Sequence, residues 1–219
     1  MKVGTDGVIL GAWTNLEGCR KALDVGSGTG LLALMLAQRS RNLFIDAIEI
    51  DAAAAAQARE NIRASRFSGQ IELIHADFMD FKETSSNKYD LIICNPPFFK
   101  DSYKPKDFGR KLARHTDTLQ THDILSGASH MLTMEGNLSL IIPFAREKEI
   151  VSDAERSGLF LRRKLEILSS PGKQPSRVCI EFRREQGKMH VGEMLIEEGE
   201  RHLYSTKYKE LTGDFYLDL

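Results

Sequence analysis

Ala22-Leu23-Asp24-Val25-Gly26-Ser27-Gly28-Thr29-Gly30, followed by Leu31 to Gln38, is the stretch that decides the architecture. A short apolar run stops at three glycines, and a helix-forming segment begins at once. That pattern is a strand, a tight turn and a helix, with glycines letting a ligand approach the helix N-terminus. A dinucleotide fingerprint needs a third glycine at position 31, which is Leu31, so the spacing suits a ligand without a pyrophosphate. Glycine turns also serve packing alone. Glu49 supports the binding reading: it closes the next strand 23 residues after Gly26, where a carboxylate accepts both ribose hydroxyls of a nucleoside. Asp51 is the rival acid, but capping of the alanine-rich helix that follows accounts for it.

Outward from this loop, strands and helices alternate. Phe44 to Ile50 reads as a second strand and Asp51 to about Ser65 as a capped helix; Ile71 to Ile74 and Asp90 to Cys94 read as strands three and four. Thr121 to Leu132 is a predicted helix, Leu138 to Ile142 a fifth strand, and Ala145 to Ser157 a helix closed by Gly158. Two longer strands, Leu161 to Leu168 and Arg177 to Arg184, flank the turn Ser170-Pro171-Gly172. The expectation is one α/β domain over residues 1–219: a seven-stranded, mostly parallel sheet with an antiparallel C-terminal hairpin.

Composition fits this. The 219 residues are 42% hydrophobic and 28% charged, the signature of a folded globular chain. The longest strictly apolar run, Leu31 to Ala37, is too short to span a bilayer, and Asp6 interrupts the N-terminus before a secretory signal forms. Cys19, Cys94 and Cys179 form no CxxC pair and read as reduced thiols of a cytoplasmic protein, with no metal site. A net charge of −1 excludes a uniformly basic nucleic-acid binder but leaves room for a local basic patch.

Two further segments follow strand ends. Asp77-Phe78 lies after strand three, where ligands bind in open α/β sheets; the carboxylate would accept an adenine amino group while the ring packs on the purine. Asn95-Pro96-Pro97-Phe98 follows strand four. Two prolines stiffen the strand exit, but strand termination explains neither the amide before them nor the aromatic after them. An exocyclic amine conjugated to a ring is a poor nucleophile, because its lone pair is delocalised. The Asn95 side-chain oxygen and the Pro96 carbonyl would hold both amine hydrogens in the attacking geometry. Phe98 would stack on the planar group, worth about 1–3 kcal/mol for a base.

These elements, in this order, resemble the class I S-adenosylmethionine-dependent methyltransferases that act on amines. Lys2 to Trp13 resembles the opening of the bacterial tRNA1(Val) (adenine(37)-N6)-methyltransferases, and Ala113-Arg114-His115 with Leu119 and Gly213 to Leu217 resemble the same group. The resemblance implies a Rossmann-like class I methyltransferase fold, S-adenosyl-L-methionine as cofactor and tRNA as partner. It implies a cofactor set of Thr5, Asp6, Asp24, Gly26, Gly28, Gly30, Glu49, Ile50, Asp77 and Phe78, and Asn95, Pro96, Pro97 and Phe98 around the reacting amine. Residues 1–20 become a cofactor-proximal segment, and the enzyme is expected to act as a monomer.

RNA contact is expected in residues 98–120. Residues 98–115 hold Lys100, Lys104, Lys106, Arg110, Lys111 and Arg114 against only Asp101 and Asp107, interleaved with Phe98, Phe99, Tyr103 and Phe108. Cations on phosphates and rings on unpaired bases are the mode of single-stranded RNA recognition; the bland alternative is a solvated loop. His115 reads as a phosphate or backbone contact and not a general base. A second basic group, Arg162-Arg163-Lys164 with Lys173, Arg177, Arg183 and Arg184, is a weaker extension of this footprint. Rival readings are the same core acting on ribosomal RNA (adenine N6 or guanine N2) or on a glutamine side chain, a noncatalytic cofactor- or RNA-binding module, and a small-molecule O-methyltransferase.

Overall fold

The computed structural model describes residues 4–96 and 119–217. Its sheet has the order β3-β2-β1-β4-β5-β7-β6-β8, built from β1 (Lys21–Val25), β2 (Phe44–Glu49), β3 (Ile71–His75), β4 (Tyr89–Cys94), β5 (Leu132–Pro143), β6 (Phe160–Leu168), β7 (Arg177–Arg183) and β8 (His190–Leu195). All run parallel except β7, which is antiparallel to both β5 and β6. The α/β class and the antiparallel hairpin agree with the sequence; the count of seven strands does not. The eighth, β8, pairs with β6 at the sheet's edge and buries only Met194 while Val191 is 56% exposed, so it carries no alternating pattern to read.

Helices cover both faces. On one lie α1 (Thr5–Trp13), α2 (Leu31–Arg39), α3 (Ala52–Ala64) and α7 (Thr206–Thr212); on the other α4 (Phe78–Thr84), α5 (Thr121–Met131) and α6 (Glu147–Arg156). Successive strand residues feed opposite cores: Ala22, Leu91 and Ile93 pack toward α1 and α2, while Leu23, Val25 and Ile92 pack toward α4 and α5. Covered on both sides, β1 and β4 read as continuous apolar runs.

Three helices escaped the sequence reading. In α1, Gly7 and Gly11 lower helix propensity, and their use is close approach: a Cβ on Gly11 would sit 2.8 Å from Met35 Sδ of α2. The helix expected from Ala145 begins as a 3-10 turn, Phe144–Arg146, before α6, and Gly158 ends it at φ +74.

Six of the seven residues of the second basic group are engaged within the fold, which gives those six a structural use; exposed Lys173 has no side-chain partner among the described residues. Glu181, 1% exposed on β7, is held by Arg163 and Arg183, each at 3.0 Å. Lys164 pairs with Glu147 and Glu166, Arg177 with Asp6, and Arg162 and Arg184 donate to backbone carbonyls. Arg163 also donates to Trp13 O and lies over its ring, 4.4 Å from the centroid, while Arg39 donates to Gly11 O and Thr14 O. Two arginines thus satisfy the carbonyls at the C-terminus of α1, where cations also suit the helix dipole. Trp13 is a packing anchor, partly buried against the core beneath α1 and α2. The three cysteines are buried and unpaired, and burial raises each thiol's pKa, that of Cys19 to about 11. Among the described residues no helix is long and apolar enough to cross a membrane, and no cluster of three metal-ligating side chains occurs.

Candidate active site

The carboxyl ends of β1, β2, β3 and β4 are neighbours in the sheet, through the registers Val25 with Ile48, Glu49 with His75 and Asp24 with Ile93. The chain reverses its order of strand addition between β1 and β4, the place where open α/β sheets bind ligands. The loop after β1 winds through three left-handed glycines, Gly26 (φ +70), Gly28 (+58) and Gly30 (+86). A side chain would strain each of them. Ser27 N–H donates to Ile48 O, and Asn61 of α3 donates to Thr29 O, so neighbouring elements hold the loop's shape.

Glu49, 8% exposed, is part of that scaffold. Its Oε2 accepts from Gly28 N–H at 2.7 Å and its Oε1 from Asp51 N–H at 2.8 Å. Each oxygen keeps further lone-pair capacity, which two ribose hydroxyls would use. Asp51 does cap α3, through Ala54 N–H at 2.7 Å. Beside Glu49, Ile50 is 60% exposed, an apolar surface at the sheet's edge, and its carbonyl is bonded to the His75 ring.

Asp24 is fully buried below the loop. Its Oδ2 accepts from Ala33 N–H at 3.1 Å, while Oδ1 and the nearby Ser27 hydroxyl are buried without a hydrogen-bond partner among the described residues. Burial pushes the Asp24 carboxyl up to about 7, the Ala33 bond opposing and the Glu49 charge reinforcing. Ser27 carried no signal beyond its place between the glycines.

Asp77 caps α4 by accepting from Met79 N–H at 2.7 Å. The Phe78 ring departs from the expectation. It is 4% exposed and wedged against α5, where a Cβ on Gly127 would meet its Cε1 at 2.7 Å. A ring filling that slot belongs to the core and offers no face to a purine.

Asn95 is exposed at the exit of β4, while Pro96 is buried. The first turn of α1 closes over it: a Cβ on Gly7 would lie 3.8 Å from Asn95 Nδ2 and 3.1 Å from Leu31. Thr5 and Asp6 precede Gly7 in that turn, and Asp6 Oδ2 accepts from Arg177 Nε at 2.9 Å. Sequence reasoning missed this role of Arg177, because 171 residues separate the pair. Leu119 reaches the loop from the other side, 4.0 Å from a Cβ on Gly26. Pro97, Phe98, Lys100, Lys104, Arg110, Arg114 and His115 lie outside the described residues.

The donor set fits a nucleoside-bearing sulfonium: a carboxylate with spare acceptor capacity for ribose, an exposed isoleucine beside it, a glycine cradle, and two orphaned buried oxygens below.

Residues 12–151 match the family model described as methyltransferase small domain. The chain is 43% identical to the tRNA1(Val) (adenine(37)-N6)-methyltransferase of Parabacteroides distasonis, over all of this chain and 92% of that protein. It is 40% identical to the protein of that name from Histophilus somni, over all of this chain and 91% of the relative. Among solved structures, a predicted O-methyltransferase of Agrobacterium tumefaciens shares the fold with a TM-score of 0.73 at 20% identity, covering 95% of this chain and 96% of its own. A methyltransferase from Pyrococcus furiosus does so with a TM-score of 0.59 at 21% identity, covering 81% of each chain. Matched over most of its length by the family model and along its whole length by these relatives, the chain belongs to the methyltransferase small domain family.

Proposed function

We propose that the protein transfers the methyl group of S-adenosyl-L-methionine to the N6 amine of an adenosine in tRNA, adenosine 37 of tRNA1(Val) being the position named for its relatives. The observation that carries this reading is the adjacency of Asn95-Pro96, just after β4, to the glycine loop after β1, with Glu49 one strand further. An amine-binding loop and a nucleoside cradle on neighbouring strand ends suit transfer between two bound substrates. The bound cofactor supplies an electrophilic methyl group on sulfur.

The chain's own residues do the rest. Glu49 holds the ribose; the loop from Gly26 to Gly30, with Asp24 beneath it and Thr5 and Asp6 opposite, holds the methionine side; Ile50 and Asp77 border the adenine. The Asn95 amide oxygen and the Pro96 carbonyl accept the two N6 hydrogens, which localises the lone pair on nitrogen for in-line attack. Once the N–C bond has formed, the nitrogen is strongly acidic and loses one of those protons to solvent, so no side-chain base is required. Phe98 stacks on the adenine, and Lys100, Lys104, Arg110, Arg114 and His115 bind the flanking RNA. Extruding the adenosine costs a few kcal/mol, least in an anticodon loop. We read residues 1–219 as one methyltransferase domain, monomeric and cytoplasmic.

The test is transfer from labelled S-adenosyl-L-methionine into unmodified tRNA, with mass spectrometry of the digested nucleosides. N6-methyladenosine is the expected product. Asn95→Ala should lower its formation at least 100-fold, since misplacement alone costs about that much, with cofactor affinity within a few fold. Equal loss of both would refute the amine-binding role, and product in ribosomal RNA or on glutamine instead of tRNA would move the substrate.

A further inference from the structure

Helix α3 carries a stripe of cations on the flank that faces the free edge of the sheet. It packs on β2 and on the outermost strand β3, burying Ala55, Ala58 and Ile62, while Asn61 reaches Thr29 O on the inner side. Helical spacing puts Arg59 and Arg63 one turn apart on the outer side, and Arg66 follows in the turn after the helix. Arg41 lies at the same end of the molecule. Gln70 Nε2 donates to Ser40 O and Leu43 O at 2.9 and 3.0 Å, which ties the turn of Arg41 to the segment after Phe67.

All four arginines are exposed, and none has an ion pair or side-chain hydrogen bond among the described residues. The Arg66 guanidinium lies over the Phe67 ring, 5.0 Å from its centroid, a contact that limits its motion without using its N–H groups. From Ala52 to Ile71 the only acid is Glu60, whose carboxylate meets the Gln57 amide at 3.5 Å. By contrast, Arg163, Arg177 and Arg183 are held by carboxylates. Like charges one turn apart on a helix repel, so the stripe does nothing for the fold. An extended polyanion accounts for it.

Helix α3 is capped by Asp51, two residues past Glu49, and runs away from the site. At 1.5 Å per residue, Arg59 and Arg63 stand about 12 and 18 Å along it. That is beyond a single extruded adenosine and within reach of the paired stem that carries its loop. Duplex RNA presents phosphates more than base edges, and the guanidinium fork matches phosphate oxygens. We infer that Arg59, Arg63 and Arg66, with Arg41 beside them, bind the phosphate backbone of the base-paired stem next to the methylated adenosine. The inference rests on the tRNA reading above and adds a contact separate in sequence from residues 98–120.

The test compares wild type with the triple variant Arg59→Gln, Arg63→Gln and Arg66→Gln, the corresponding triple lysine variant, and Arg201→Gln. The last is a charge control in the segment after β8, the opposite edge of the sheet. Measured are affinity for unmodified tRNA across a salt series, kcat and KM for tRNA, and cofactor affinity as a check on folding. The glutamine variant should bind tRNA about tenfold more weakly at low salt, with a salt slope reduced by about 2–3, roughly one per lost phosphate contact. Its KM should rise to match, while kcat at saturating tRNA and cofactor affinity stay within twofold. The lysine variant should keep the salt slope of wild type, and Arg201→Gln should match wild type throughout. A glutamine variant with unchanged tRNA affinity and salt slope, or an equal loss in Arg201→Gln, would overturn the inference and leave the active-site reading standing. A wild-type protein that neither binds nor methylates tRNA would remove that reading and the role of the stripe with it.

Discussion

Replacing Glu49 with Gln separates the two duties the structure gives this side chain. The carboxylate accepts backbone N–H groups on both oxygens, from Gly28 at 2.7 Å and Asp51 at 2.8 Å. A carboxamide has one acceptor oxygen, so its NH2 must face one of those donors. The ligand-free protein then loses one hydrogen bond to a charged acceptor and buries an unsatisfied donor, at a cost of about 2 kcal/mol. For a chain of this length that lowers the unfolding midpoint by about 4–8 °C. The ribose loses one charged acceptor as well, another 1.5–3 kcal/mol or so, which weakens cofactor binding roughly 10- to 150-fold. Calorimetric titration with S-adenosyl-L-methionine and thermal unfolding without ligand read the two effects independently. A folded variant that binds within threefold of wild type would refute the ribose role; an unchanged midpoint would refute the backbone anchoring.

Three more changes probe the surrounding scaffold. With its carboxyl raised to about 7, native Asp24 keeps a proton that the unfolded chain releases near pH 4, so its stabilising contribution is full below pH 4 and lost as pH rises through 7. Asp24→Asn should therefore gain roughly 2–3 kcal/mol on wild type between pH 5 and pH 8 in denaturant unfolding, and a constant gap would count against it. Gly127→Ala drives a methyl into the Phe78 ring and should cost about 1–3 kcal/mol by the same assay, displacing the α4 start that Asp77 caps. Glu181→Ala leaves Arg163 and Arg183 without their shared carboxylate and should cost about 3 kcal/mol, while loss below 1 kcal/mol would mean that solvent takes its place.

The central fold was legible because its signals are local. The glycine loop, the Asp51 cap and the runs of β1 and β4 each declare themselves within ten residues. Edge strand β8 did not, since an element that buries one side chain leaves no periodicity. Helix α1 hid behind Gly7 and Gly11, whose small size serves contact with α2 and Asn95 and not helix formation. At the site, chemistry at strand ends was readable, but direction was not: Phe78 sits at the right position with its ring turned into the core, and only the packing of α5 reveals it. Long-range pairing was likewise out of reach. The basic residues of β6 and β7 look like an RNA surface until Glu181, Glu147 and Asp6 come beside them.

The anchoring of α1 has a mechanical consequence. Its C-terminal carbonyls are held by Arg39 and Arg163, and Arg163 is in turn fixed by Glu181 in the middle of β7. The nine-residue helix is a rod about 13 Å long, tied at both ends to the antiparallel part of the sheet: by Arg163 of β6 at its C-terminus and by the pair between Asp6 and Arg177 of β7 in its first turn, next to the turn that approaches Asn95. Both ties run to β6 and β7, so a substitution that shifts those strands is expected to move the helix that flanks Asn95, and a screen for heat tolerance there should double as a screen for catalysis.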